Sequence, residues 1–155
     1  MKDKTIDYVL RATWQAVARM YNEEASKYDG SMAIGFALLS IDKDEGTPST
    51  KIASRMGMEA TSLTRTLKTL EDKGLIQRQP NPKDGRGVLI YLTDFGKEMR
   101  NRSKETVIKF NETIRNNVSF EKFQNFMEVT EIINELIQEK NIFNQPEKIE
   151  NETYY

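Results

Sequence analysis

The stretch from Thr61 to Lys68 brings hydroxyl groups and two cations onto one side of a predicted helix. Thr61, Arg65 and Lys68 recur at steps of four and three residues and therefore share a face. Ser62 and Thr64 lie at its flanks. A guanidinium can donate two hydrogen bonds to a guanine edge, an ammonium can reach a phosphate, and small hydroxyls allow close approach to both. These residue types suit a helix in the major groove of DNA; the alternative is an exposed amphipathic helix without a ligand.

A further cation lies between two glycines. Gly85 and Gly87 flank Arg86, and glycine permits backbone shapes that are closed to other residues. We therefore expect Arg86 to project from the tip of a loop, where a guanidinium can enter the narrow and negative minor groove. Asp84 would not strengthen DNA binding through its charge, and we expect it to hold the loop or orient an arginine. By itself, the segment also fits an ordinary turn with a solvated arginine.

A helix over residues 60–73 would present the first set of cations outward, because leucines recur on its opposite face. These leucines are Leu63, Leu67 and Leu70. Gly74 follows the helix as a left-handed C-terminal residue. A shorter helix is predicted over residues 48–56, with Thr47 as its N-cap. Together the two helices predict a helix-turn-helix.

Two five-residue strand candidates after this helix predict a β-hairpin. The strand candidates cover residues 75–79 and 88–92, and the eight residues 80–87 connect them as a loop. A helix-turn-helix that is followed by a hairpin is a winged helix. We place this winged helix over residues 47–93.

Long helices flank the winged helix on both sides. Apolar periodicity predicts one helix over residues 5–28 and a buried one over 32–42, the second capped by Ser31. After the hairpin, Thr93 caps another helix, and a last one, capped by Ser119, covers residues 119–141. The predicted fold class is therefore mainly α with a small β-hairpin wing.

The first and last helices, 5–28 and 119–141, carry large apolar stripes with aromatic side chains. A lobe of about 50 residues is too small to cover both stripes. We therefore expect a second copy of the chain to cover them in a homodimer. The alternative is that the two helices bury each other within a monomer.

The charges are distributed unevenly along the chain. The net charge is −1, yet residues 48–87 carry eight basic and four acidic groups. The flanking segments are acidic, with a net charge of −2 over residues 1–47 and −4 over 103–155. A basic segment between acidic ends is the pattern expected of a small DNA-reading module.

The chain has no cysteine and no histidine. This excludes disulfides, thiol chemistry, zinc fingers and histidine acid–base catalysis. We expect no catalytic residue, no metal and no cofactor, and therefore a protein that is not an enzyme. The longest apolar stretch, residues 32–41, is about half of a membrane span, and the first residues lack the layout of a signal peptide. We expect a cytoplasmic protein without a membrane partner.

Residues 51–98 resemble the core of MarR-type transcriptional regulators, and with the flanking helices the likeness extends over residues 5–143. Each motif that carries the resemblance is weak alone, but their combination in a fixed order is specific. The motifs are T-S-L-T-R at Thr61–Arg65, L-E-D-K-G-L-I at Leu70–Ile76, D-x-R at Asp84 and Arg86, and L-T-x-x-G at Leu92–Gly96.

This resemblance implies a single MarR-like domain over residues 1–155. Residues 5–46 and 94–143 would supply dimerisation helices and scaffold, and residues 47–93 would form the DNA-binding lobe. Residues 144–155 would be a flexible tail. Two lobes of a homodimer would bind a pseudo-palindromic operator in double-stranded DNA.

By the same resemblance, the helix over residues 60–73 is the recognition helix. Arg86 would enter the minor groove, and Asp84 would steady the wing. The chain departs from the common pattern of the family at two positions. Gly85 stands where a second wing arginine is often found, which predicts weaker phosphate contact or a more flexible tip, and Glu59 replaces a better helix cap.

Members of the family often bind small aromatic or lipophilic effectors in a crevice between the dimer and DNA-binding regions. The candidate residues near that place are Trp14, Tyr21, Tyr28, Met32 and Phe36. The alternative is that these side chains only pack in the core. Because there is no cysteine, the thiol-oxidation mechanism of some relatives is excluded.

The function implied is a ligand-responsive homodimeric repressor that binds DNA by sequence. The near-neutral net charge leaves one alternative open, a winged-helix module that binds other proteins and no DNA. Salt dependence would separate the two, because binding to DNA releases counterions.

Overall fold

Helices make up most of the described chain, and its strands form one small sheet. A computed structural model of the protein describes residues 4–82, 84–139 and 142–143. The helices are α1 (Ile6–Ser26), α2 (Met32–Ser40), α3 (Ser49–Met56), α4 (Ala60–Asp72), α5 (Asp94–Asn117) and α6 (Phe120–Gln138). The strands β1 (Thr47–Pro48), β2 (Ile76–Asn81) and β3 (Asp84–Leu92) form an antiparallel sheet in the order β1-β3-β2. The predicted fold class is confirmed.

The chain divides into two units. The central unit is Arg11–Ile108, and the terminal unit consists of Met1–Leu10 and Lys109–Tyr155. The hydrophobic core lies in the central unit, where α2, α3, α4 and the sheet contribute buried side chains. No described residue of the terminal unit is buried in the single chain. Within the described residues, no helix has both the length and the apolar character needed to cross a membrane.

Helix α4 packs its leucines inward, as predicted. Leu63, Leu67 and Leu70 are all buried. The helix ends at Asp72, and Gly74 follows with φ +68°. This left-handed conformation is favourable for glycine and ends the helix where the sequence predicts.

Three of the predicted helix caps are present. The hydroxyls of Ser31, Thr93 and Ser119 accept backbone N–H groups of α2, α5 and α6 at 3.3, 2.9 and 3.4 Å. Each bond satisfies a donor that has no partner within its helix. Helix α6 ends three residues before its predicted end, and the predicted tail over 144–155 lies outside the described residues.

The predicted helix cap at Thr47 is wrong. Thr47 lies in β1 and pairs with Ile90 of β3. Its hydroxyl accepts from the Asp42 N–H at 2.8 Å and donates to Asp42 Oδ2 at 3.2 Å. Pro48 is the residue at the start of α3 and makes no side-chain cap. A strand of two residues has no periodicity, so a threonine-proline pair before a helix resembles a helix start.

The predicted loop between the wing strands is wrong in its bounds, because both strands continue into it. The register passes from the pair Pro80–Val88 directly to the pair Asn81–Asp84. Across this step β3 has three more residues than β2, and these residues, Gly85–Gly87, form a bulge. The glycine-flanked arginine therefore belongs to a bulged strand.

Candidate nucleic-acid interface

The outer face of α4 is exposed along the whole predicted contact stretch. Thr61, Ser62, Thr64, Arg65 and Lys68 all have exposed side chains. The buried leucines lie on the opposite side of the same helix. The structure thus brings the five predicted helix residues together on one accessible surface.

Arg65 and Lys68 are the cations of this surface, and neither forms an ion pair within the described part of the chain. Arg78 of β2 differs, because its Nε lies 3.0 Å from Glu71 Oε2 at the end of α4. An acid that is already paired with a cation weakens the attraction of that cation for a phosphate. Without such a partner, Arg65 and Lys68 keep their full attraction for a phosphate. The Glu71–Arg78 pair joins α4 to the wing.

The wing residues Asp84, Gly85 and Arg86 lie in β3, but their side chains are outside the described part of the structure. The insertion of Arg86 into a minor groove therefore stays a prediction, as does the support from Asp84. The supporting roles of Gly85 and Gly87 also stay predictions. What the structure describes is the strand bulge that carries these residues.

Asp42 fixes the first helix of the helix-turn-helix. Its carboxylate accepts hydrogen bonds from Arg55 Nη1 at 2.9 Å and Lys51 Nζ at 3.3 Å, both in α3. Arg55 also donates to the Ser40 carbonyl oxygen at 2.6 Å. These contacts, chiefly the one from Arg55, hold the pKa of the Asp42 carboxyl below its ordinary value. They tie α3 to the end of α2, against which α4 also packs.

A cavity of about 260 Å³ lies in the central unit among α1, α2 and α5. Tyr21, Tyr28, Met32 and Phe36, four of the five predicted ligand residues, line it. Tyr21 and Phe36 pack edge to face with ring centroids 5.7 Å apart, and burial raises the pKa of Tyr21. Trp14 is not part of the lining and is 53% exposed on α1.

Charged groups of this cavity are absent from the sequence-based prediction. Lys73 and Arg102 both line it. Lys73 Nζ donates to Asp29 Oδ2 at 2.6 Å. Arg102 donates to Glu98 at 2.9 Å, and its guanidinium carbon lies 4.5 Å from the centroid of the Tyr28 ring. The spacing of four residues between Glu98 and Arg102 is the one signal of these contacts that the sequence contains.

Buried polar groups give no further site in the described part of the chain. No buried side-chain nitrogen or oxygen lacks a hydrogen-bond partner there. No group of three acidic side chains that could hold a metal ion occurs among the same residues. The α4 surface and the cavity are therefore the candidate sites that we consider.

Comparison with known proteins finds a family model that matches part of the central unit. The MarR family model matches residues 31–88, from the cap of α2 into β3. The chain is 35% identical over 71 residues to the uncharacterized HTH-type transcriptional regulator YdgJ of Bacillus subtilis. This match covers 46% of the chain and 43% of YdgJ, so the chain spans less than half of that relative.

A second relative is matched over a longer stretch. The chain is 28% identical over 110 residues to the HTH-type transcriptional regulator SarZ of Staphylococcus aureus, which covers 70% of the chain and 74% of SarZ. Both relatives are named as transcriptional regulators and not as enzymes. This agrees with the expectation that the chain is not an enzyme.

The fold is similar to that of Staphylococcus aureus MepR in its complex with DNA. The TM-score is 0.78, and the superposition covers 86% of this chain and 100% of MepR. The sequence identity is 20%, so this similarity bears on the fold alone. It confirms the winged helix-turn-helix that the residue pattern predicts.

Proposed function

We propose that this chain is a MarR-type winged helix-turn-helix protein and that it acts as a cytoplasmic transcriptional regulator. It binds a pseudo-palindromic operator in double-stranded DNA as a homodimer. It acts as a repressor, and a small ligand relieves the repression. The observation that carries this proposal is the outer face of α4.

The α4 surface has the shape and charge of a DNA-reading element. Arg65 and Lys68 point away from the buried leucines, and no acid of the described chain neutralises them through an ion pair. Thr61 and Ser62 are small enough to let the helix approach the groove closely. Arg65 would contact a base edge, and Lys68 would contact a phosphate.

The terminal unit supports the homodimer. Its helices expose large apolar side chains, although helices gain most of their stability from burial of an apolar face. Among these exposed side chains are Ile6, Val9, Phe120, Phe126 and Ile137. Where such side chains form a contiguous patch, that patch marks an interaction site. A second copy of the chain can cover it through a two-fold axis.

Two-fold symmetry sets the geometry of the operator. Two copies of α4 would enter successive major grooves about 34 Å apart. A dimer that occupies a promoter in this way blocks polymerase sterically. A change of a few ångströms in the spacing of the two lobes would prevent both helices from fitting.

The cavity supports the ligand response. Its volume, about 260 Å³, is close to the lower end of the range for small-molecule sites. Aromatic and apolar side chains dominate its lining, with two cations and two acids among them, which suits a small aromatic or lipophilic effector. Tyr21, Tyr28, Met32 and Phe36 would contact this molecule.

A gel-shift experiment tests the proposed function. The purified protein is titrated onto the DNA upstream of its own gene, with random-sequence DNA as competitor. We expect preferential binding of the upstream DNA, and a steep loss of affinity as salt rises because counterions are released. No preference over random DNA would rule out autoregulation. An absence of any salt-dependent DNA binding would instead favour a winged-helix module that binds proteins.

A further inference from the structure

An ion pair lies between the two elements that would enter the grooves of DNA. Arg78 Nε of β2 lies 3.0 Å from Glu71 Oε2 in the last turn of α4. Among the ion pairs of the described residues, this is the one that joins α4 to the wing. The Arg78 side chain is 32% exposed and that of Glu71 is 44% exposed. Both groups are therefore accessible to a phosphate that approaches this place.

The alternation of β2 places Arg78 on the side of the wing that faces α4. Successive side chains of a strand point to opposite faces, so Arg78 shares a face with Ile76. Ile76 is buried in the core that the leucines of α4 share, and Arg78 pairs in register with the buried Ile90. Beyond this point, none of the described wing residues 79–82 and 87–89 is buried. The ion pair thus lies where the buried base of the wing ends and its exposed half begins.

Glu71 lies at the end of α4 that disfavours an acid. A helix carries partial negative charge at its C-terminus, where cations are stabilising and acids are not. The last turn of α4 has no basic residue, yet Glu71 and Asp72 both lie in it. The charge of Glu71 therefore contributes nothing favourable to the helix itself. The favourable ion pair that this charge makes is the one with Arg78.

The place between helix and wing corresponds to a line of phosphates in the proposed complex. One sugar–phosphate backbone separates a major groove from the neighbouring minor groove. With α4 in the major groove and the wing in the minor groove, this backbone passes between the two elements. Arg78 lies there, beside Glu71, which follows Lys68 by one helical turn. An unpaired Arg78 would bind the backbone without regard to sequence.

Glu71 cancels this sequence-independent attraction. Its carboxylate lies 3.0 Å from Arg78 Nε, so a more distant phosphate meets a pair with almost no net charge. Exposed ion pairs are weak, but the cancellation does not depend on an unbroken contact. If Arg78 turned toward a phosphate, the unpaired carboxylate would stay nearby and repel that phosphate.

We propose that Glu71 is a positioning residue that sets DNA specificity through Arg78. It withholds a cation from the phosphate backbone, which lowers the affinity for random sequences. It also keeps the exposed half of the wing aligned with α4, which favours the operator. The ratio of the two affinities therefore depends on an acid outside the reading surface. This inference rests on the proposed function and names a residue that sets its selectivity.

Glu71→Gln tests the proposal, because it keeps the size of the side chain and removes its charge. Fluorescence anisotropy of the full chain is measured at several salt concentrations, on random DNA and on a duplex that the wild type has selected from a random pool. We expect Glu71→Gln to bind random DNA severalfold more tightly, with a salt slope steeper by about 0.9, the value for one more phosphate contact. Affinity for the selected duplex should rise less, so the ratio of the two affinities should fall severalfold.

Two further variants separate the role of Arg78 from a general effect of charge. When Glu71→Gln is combined with Arg78→Gln, the freed cation is gone, and the salt slope should return to the wild-type value. Asp44→Asn is the matched control, because it also removes one acid from an ion pair, the one with Lys97 of α5. Its slope should stay that of the wild type. A loss of stability alone would not change the slope, since the slope counts the phosphates that the protein neutralises.

Failure of this inference differs from failure of the proposed function. A wild type that binds no DNA would reject the proposed function and the inference with it. A wild type that prefers its selected duplex, together with an unchanged salt slope in Glu71→Gln, would reject the inference alone. The same steepening in Asp44→Asn, or a slope that stays steep in the double variant, would also reject it.

A reversed ion pair decides the question if Glu71→Gln fails to fold, which circular dichroism checks. Glu71→Arg combined with Arg78→Glu keeps one charge of each sign at the same place. It should therefore keep the wild-type salt slope on random DNA. A steeper slope in this variant would show that an acid beside the cation does not cancel its attraction, and would overturn the proposal.

Discussion

Gly96 lies so close to Leu75 that a Cβ on the glycine would be 1.9 Å from the Leu75 carbonyl oxygen. The same carbonyl accepts the Thr93 N–H at 3.1 Å, and the Thr93 hydroxyl donates to the Gly74 carbonyl at 2.6 Å. The start of α5 is therefore fixed against the backbone between α4 and β2. This contact explains in physical terms why the L-T-x-x-G motif ends in glycine.

Gly96→Ala should destabilise the protein by about 3 kcal/mol, because the backbone atoms of Leu75 cannot move aside as a flexible side chain can. Urea unfolding followed by circular dichroism measures the change. Gly57→Ala is the matched control. Nothing lies within 4 Å of a Cβ at Gly57, whose φ is +60°, so it should cost only about 1–2 kcal/mol of backbone strain. Equal losses in the two variants would contradict the close-contact explanation.

The two cations of α4 should respond differently to removal. Arg65→Ala should weaken operator binding by about 1–3 kcal/mol and relax the preference at one base pair, because a base contact carries sequence information. Lys68→Ala should weaken binding to all sequences alike and reduce the salt slope by about 1. Anisotropy titrations at several salt concentrations, on the operator and on single-base variants, separate these effects. Indistinguishable profiles would show that the two roles are wrongly assigned.

Arg86→Ala should weaken DNA binding by about 1–3 kcal/mol if its guanidinium enters the minor groove. Arg86→Lys is the informative companion. It keeps the charge, and hence the salt slope, but loses the planar group with several donors. Competition against duplexes with different minor-groove widths measures the difference. An unchanged affinity and salt slope in Arg86→Ala would reject the assignment of the wing.

Local patterns were sufficient to predict the winged helix. The leucines at 63, 67 and 70, the glycine at 74 and the caps at 31, 93 and 119 each depend on the nearest turn of chain. Pairing with a distant strand is a different problem. Thr47 joins β1 because Ile90 lies beside it, and a strand of two residues leaves no periodic signal.

The cavity shows the same limit of prediction from local sequence patterns. Aromatic residues of α1 and α2 could be identified as candidates, but periodicity does not distinguish Trp14 on an exposed surface from Tyr21 in a lining. Lys73 and Asp29 are 44 positions apart. Their contact depends on how α4 packs beside the turn after α1, which no local pattern describes.

Asp42 should make stability depend on pH below neutrality. Its pKa is lowered in the folded chain, so its stabilising contribution is complete above the unfolded value of about 3.9 and is lost as the pH falls through the lower folded value. Asp42→Asn should reduce the free energy of unfolding at pH 7 by about 1 kcal/mol, since the group is partly exposed. The difference from the wild type should shrink below about pH 4.

Urea unfolding at pH 7 and pH 3 measures the effect of Asp42→Asn. Asp44→Asn is the control, because the Asp44 side chain is 74% exposed and its contact with Lys97 is longer, at 3.3 Å. It should change stability less at either pH. If Asp42→Asn lost the same free energy of unfolding at both pH values, the ionised Asp42 carboxylate would not be the source of the stabilisation.

Phe126→Ser should shift the protein from the proposed dimer to a monomer. Phe126, Ile133 and Ile137 recur at steps of seven and four residues and so share one face of α6, yet Phe126 is 58% exposed in the single chain. Glu128→Ser, on the opposite face, is the matched control and should leave the dimer intact. Sedimentation velocity gives the oligomeric state. A Phe126→Ser protein that stays dimeric at micromolar concentration would place the interface elsewhere.

The terminal unit would make folding depend on the amount of protein. Its described residues are all at least partly exposed in the single chain. If its helices bury their apolar faces only in the dimer, association and folding are a single equilibrium, and the melting temperature rises with protein concentration by mass action. Dilution then reduces the folded population as well as the number of molecules. Under the proposed function, the amount of this protein that a cell makes would then set how much of the operator is bound, even without an effector.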